Sequence, residues 1–150
     1  MPDADPNGRD VVRPVVIDSP KRQLLLIPRD PAGDIHWAVP TVPMRPGETC
    51  GRAAIRHLRH VAHLPTLRIS PLIGRLARQD GREGAQYLAV VRPAAQNWPT
   101  PVRSALAPEA RWWTTAELRT AQVFVEPAEL LDFMDGYWDG WLPDGEIALD

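Results

Sequence analysis

The chain alternates short apolar runs with clusters of turn-forming residues, and its first half reads as strands. Val11 to Ile17 is dense in β-branched residues, and Gln23 to Ile27 is a second apolar run beyond Asp18, Ser19, Pro20 and Lys21. Two such runs around a tight turn predict a β-hairpin. Asp30 to Asp34 predicts a loop, Ile35 to Val39 a short strand closed by Pro40, and Thr41 to Thr49, with Pro43, Pro46 and Gly47, another loop. The period then changes. From Thr49 to about His63 the apolar residues Ala54, Leu58 and Val61 or Ala62 recur at helical spacing, with Thr49 as the N-cap and Pro65 as the stop.

Leu67 to Leu76 and Gln86 to Arg92 predict a second pair of strands, joined across a polar loop from Asp80 to Gly84. Pro93 to Pro108 reads as proline-rich loop and Ala110 to Trp113 as a short strand. Thr115 to Ala121 reads as a helical turn begun by Thr114 or Thr115, and Pro127 to Trp138 as a terminal helix left at Gly140. This order predicts an α/β (α+β) protein with a mixed sheet flanked by helices. Residues 11–142 form one domain on this reading, with a frayed tail at 1–10 and a second tail at 143–150.

Composition narrows the function classes. At 150 residues the chain has the size of one domain, and its 44% hydrophobic and 24% charged residues are ordinary for a globular protein. A net charge of -2 argues against broad nucleic-acid binding, which needs an extended basic surface. One cysteine, Cys50, makes no internal disulfide and asks for no oxidising compartment. With no apolar stretch long enough for a membrane span and no signal-peptide pattern at the start, the expectation is a cytoplasmic protein with no membrane partner.

The helix after Thr49 carries the candidate chemistry. Arg52, Arg56, Arg59 and His63 recur along one side of it, and His57 and His60 share another side at a spacing of three. Guanidinium rows either solvate a helix or hold phosphate, and a histidine pair either lies in solvent or holds an imidazole-preferring metal. Cys50 reads as a buried thiol rather than a nucleophile. Trp37, close to the loop, and Trp98, in the proline-rich segment, are candidate walls of an aromatic pocket, while Glu83 and Glu109 are carboxylates that sequence does not place.

The segment WAVPTVPMRPGETCGRAAIRHLRHVAHL resembles the signature of the Nudix hydrolase superfamily (MutT-like), a loop and helix of fixed spacing. Aligned on Glu48 and Arg56, it retains Pro40, Pro46-Gly47-Glu48, Ala53-Ala54, Leu58 and Leu64. The signature glycine is Val42, the glutamate after the arginine is His57, the paired glutamates are His60 and Val61, and the later glycine is His63. VVIDSPKRQLLLIPR is similar to the family's first hairpin and EARWWTTAEL to its late strand and helix.

The resemblance implies a Nudix-like α/β/α sandwich and, in active relatives, Mg²⁺-dependent cleavage of nucleoside diphosphate derivatives. Glu48 is what remains of the family's acidic cluster on this segment, and the matching arginine in relatives orients a glutamate, which makes Glu48 the expected partner of Arg56. With imidazole and valine in place of oxygen ligands, ordinary magnesium catalysis is expected to fail and no metal is expected. The leading expectation is a degenerate Nudix protein, or an accessory domain, that binds a nucleotide or diphosphate through Arg52, Arg56, Arg59, His57, His60 and Trp37. Two alternatives stay open: a hydrolase whose metal site is rebuilt from Glu48, His57 and His60, and a protein-interaction module in which Tyr137, Trp138 and Trp141 form a homodimer contact.

Overall fold

The structure is a computed structural model that describes residues 10–29, 36–62, 66–78, 83–93, 107 and 109–149. Its elements run β1 (Val11–Asp18), β2 (Gln23–Arg29), β3 (His36–Ala38), β4 (Val42–Pro43), α1 (Cys50–Ala62), β5 (Leu67–Ala77) and β6 (Ala85–Pro93). Then follow β7 (Arg111–Trp113), α2 (Thr115–Ala121), β8 (Phe124–Glu126), α3 (Leu130–Asp139) and β9 (Gly145–Ala148). The tail at 1–10, apart from Asp10, lies outside the described residues, as do His63, Trp98 and most of the proline-rich segment.

The strands form one mixed sheet in the order β8-β3-β2-β1-β6-β5-β9, with β4 also on β1 and β7 also on β2. The expected hairpin is present, with Ile17 opposite Leu24, and so is the β5–β6 pair, broken by a register shift between Ile69 and Ile73. Parallel pairs join β1 to β6, β3 to β8 and β5 to β9.

Period-two alternation divides the core between two faces. Val12, Val16, Leu25, Tyr87, Ala89 and Val91 meet Ala53, Ala54 and Leu58 of α1. On the opposite face Val15, Ile17, Leu24, Leu26, Leu88 and Val90 meet Leu118 of α2 and Leu130, Phe133 and Met134 of α3. The helices therefore sandwich the sheet, as the α/β/α reading expected. Among the described residues no helix is long and apolar enough to cross a membrane.

Four local readings change. Thr41 to Thr49 is not all loop, because Val42 and Pro43 pair with the first residues of β1. The last helix begins at Leu130, three residues after Pro127. Phe124–Glu126, not read as a strand although Val123, Phe124 and Val125 are strand formers, adds a parallel edge to β3. Gly145–Ala148, read as tail, pairs in parallel with β5 from Leu72↔Gly145 to Arg75↔Ala148. These last two strands are recognised only through partners distant in sequence, β3 and β5.

Candidate functional site

The loop before α1 and the start of that helix are organised around Glu48. Gly47 adopts a positive φ of 76°, which turns the chain at Pro46-Gly47 and brings Glu48 back over its own loop. Thr49 caps the helix, its hydroxyl accepting from the Arg52 backbone N–H at 3.2 Å. One turn later, Arg56 donates through Nε to Glu48 Oε2 at 2.9 Å and through Nη2 to Oε1 at 2.8 Å. The same Nη2 reaches the Pro43 carbonyl at 3.0 Å, and the Arg45 backbone N–H donates to Glu48 Oε1 at 3.0 Å. The Arg56 fork, with the Arg45 N–H, pulls the Glu48 carboxyl down to about 2 and raises the arginine in turn. Glu48 is thus paired with the residue expected for it, and both of its oxygens are engaged.

Arg52, Arg59 and His60 are exposed. His57 is half-buried, and burial, then Arg56 and His60, hold it below the ordinary imidazole range. Cys50 is buried, and that burial pushes its thiol up to about 11, which suits a packing residue and not a nucleophile. Among the described residues no group of three or more His, Cys, Asp and Glu side chains is placed to hold a metal ion. Trp37 packs edge-to-face on Trp113 at 5.0 Å between ring centroids. Glu83 and Glu109 are exposed.

A second arrangement, unanticipated from sequence, lies on the sheet face opposite α1. A cavity of about 400 Å³ is lined by Val11, Arg13, Arg29, Thr41, Arg78, Gln86 and Glu126. Three guanidinium groups share it with one carboxylate. Arg13, whose side chain keeps 10% of its surface exposed, donates to Gln86 Oε1 at 2.7 Å and to the Val39 carbonyl at 2.9 Å, and pairs with Glu126 at 3.5 Å. Glu126 also meets His36 Nε2 at 3.3 Å. Burial, opposed by Glu126 and assisted by Arg29 and Arg78, lowers the Arg13 pKa.

Arg13 is therefore oriented by neutral and acidic partners, in a cleft that Arg29 and Arg78 also line. The cavity adjoins the Glu48 corner through β4: Thr41 lines it, Val11 pairs with Pro43, and Arg56 holds the Pro43 carbonyl. Asp10 supports the same junction, accepting the Ala85 N–H at 2.9 Å through its carboxylate and the Met44 N–H at 3.1 Å through its carbonyl.

Among the described residues, none of the site residues expected from sequence lines the cavity. Its one sequence signal is Arg13 itself, a charge in the Val11, Val15, Ile17 row of an otherwise apolar strand. A buried row holds a charge only when partners meet it.

At the level of sequence, no protein-family model and no curated protein matches the chain. Solved structures do. A Nudix hydrolase from Nitrosomonas europaea is 16% identical with a TM-score of 0.59, over 91% of this chain and 92% of that one. The C. elegans Ap4A hydrolase is 17% identical with a TM-score of 0.61, over 89% and 98%. The chain has the Nudix fold. The mutator MutT protein of Bacillus halodurans, 14% identical over 93% of this chain and 86% of its own with a TM-score of 0.51, shares that fold. Within the Nudix fold of this chain, Pro40 to Ala62 is the described part of the loop and helix that carried the resemblance, and Glu48 and Arg56 pair across it.

Proposed function

We propose that this chain binds a phosphate-bearing small molecule, a nucleotide or diphosphate, in the Arg13 cavity and does not use the magnesium chemistry of its fold relatives. The observation that carries the reading is the contrast between two neighbouring places. In the cavity, Arg13, Arg29 and Arg78 face one carboxylate; at the loop–helix corner the one signature carboxylate has both oxygens on Arg56. Magnesium asks for several oxygen ligands in octahedral geometry, and His57, His60 and Val61 offer none. The residues present do not fit that ion. Guanidinium groups meet phosphate oxygens directly by charge-assisted hydrogen bonds, and a cavity of this volume accommodates a drug-sized ligand.

The structural neighbours support the ligand class in outline, since one is an Ap4A hydrolase and another a UDP-X diphosphatase. The predictions for α1 change accordingly. Arg56 serves the loop, Trp37 the core, and Arg52, Arg59, His57 and His60 contribute to the helix surface.

The test is a thermal-shift titration of the full chain with a nucleoside diphosphate and a nucleoside diphosphate sugar, first in chelator and then with Mg²⁺, Mn²⁺, Zn²⁺ or Co²⁺. Stabilisation in chelator, absent in Arg29→Gln and accompanied by no turnover, is the expected result. Turnover in any metal that disappears in His57→Ala or His60→Ala would overturn it in favour of a rebuilt hydrolase.

A further inference from the structure

Arg68 near the start of β5 and Arg92 near the end of β6 are direct cross-strand partners, so their side chains leave the sheet on one face. Like charges in that arrangement repel and cost stability unless something neutralises them. Among the described residues neither side chain has a hydrogen-bond or ion-pair partner. The adjoining segments, residues 63–65 and 94–106, contain no Asp or Glu that would serve.

The two arginines border a cavity of about 440 Å³, completed by Ile69, Ser70, Pro71 and Tyr137. Each neighbour has a reason to be there. The register shift between Ile69 and Ile73 lifts Ser70 and Pro71 out of the ladder. Ser70 Oγ accepts from the Leu72 N–H at 3.3 Å, which leaves its hydroxyl proton to donate. Tyr137, on α3, is held edge-to-face by Trp138 at 5.2 Å and supplies an aromatic wall with a hydroxyl. The cavity thus offers two guanidinium forks and two hydroxyls, with no carboxylate among its lining residues.

This place is distinct from the Arg13 cavity. Gln86 lines that one and Arg92 this one, at opposite ends of β6 on the same face. Six residues of strand put them about 20 Å apart. The packed core around Leu88 and Val90 fills the interval.

We propose that Arg68 and Arg92, with Ser70 and Tyr137, form a second anion site that takes the phosphoryl group of a small phosphate monoester. The two guanidinium groups grip the phosphoryl oxygens, and the organic part of the ligand lies against Tyr137 and Pro71. The site is independent of the function proposed above.

The experiment is calorimetric titration of the full chain with inorganic phosphate, a sugar phosphate and a nucleoside monophosphate, on wild type, Arg68→Gln, Arg92→Gln and Arg29→Gln. Binding of at least one of the three that weakens by about tenfold in each of the first two variants, and is unchanged in Arg29→Gln, is expected. A preference for inorganic phosphate would assign the phosphoryl group alone; a preference for either ester would add the organic contact. Arg92→Glu supplies a second readout. It should remove binding and raise the anion-free melting temperature, because it turns a repelling pair into an attracting one. No binding by any of the three, equal binding in the arginine variants, or a lower melting temperature for Arg92→Glu would overturn the proposal.

Discussion

Replacing Glu48 with glutamine tests whether the loop before α1 rests on an ion pair. The substitution keeps the shape and removes the charge that Arg56 grips from two directions. The Glu48 carboxyl stands at about 2 against an ordinary 4.5, which corresponds to a ceiling of about 3 kcal/mol. Glu48 is well covered, with 12% of its side chain exposed, but Arg56 keeps 30%. Solvent screening of the arginine brings the stability at stake to about 2 kcal/mol.

The sign follows from linkage. A carboxyl lowered by folding stabilises the native state above its unfolded pKa, and that contribution fades as pH falls from about 4.5 toward about 2. Urea unfolding should therefore show Glu48→Gln less stable than wild type by about 2 kcal/mol near neutral pH. The two should draw together across the acid window as the wild-type carboxyl takes up its proton. A variant as stable as wild type at neutral pH would refute the reasoning, and so would a gap that persists undiminished at the acid end.

Three other expectations follow from packing and burial. Arg13→Met removes the donor to Gln86 Oε1 and to the Val39 carbonyl, while Glu126, part-exposed, keeps His36; it should lower unfolding free energy by about 2 kcal/mol, read by urea denaturation. Gly74→Ala would set a Cβ 2.7 Å from Leu149 Cδ1 and 3.0 Å from Phe133 Cε1, and should cost about 1–3 kcal/mol and lower the melting temperature. Cys50, buried and with its thiol raised to about 11, should resist alkylation in the native state near neutral pH and react once the chain is unfolded in urea; rapid native labelling would contradict that burial.

The Arg13 cavity and the Glu48 corner also divide the roles of their arginines. Arg56 is a positioning residue: its two bonds to Glu48 and one to Pro43 hold the loop against β1. Arg29, on the exposed end of β2, stands in the cavity wall. This distribution follows from the sheet, whose two faces send α1 and the Arg13 row in opposite directions.

Much of the fold was legible in one dimension. The first hairpin, α1 with its Thr49 cap, the β5–β6 pair and α2 with its Thr114 capping box all announce themselves by local period and by residues whose side chains satisfy nearby backbone groups. The Glu48–Arg56 pair was legible only through the resemblance, in which the matching arginine orients a glutamate, and the structure forms it. What tertiary structure alone decided is long-range. Glu126 meets Arg13 and His36 because β8 lies parallel to β3, and β9 exists because β5 offers an open edge. No residue type near Phe124 or Gly145 encodes those pairings. The Arg13 cavity gathers side chains from six separate segments, and a charge field assembled in that way has no period to read along the chain.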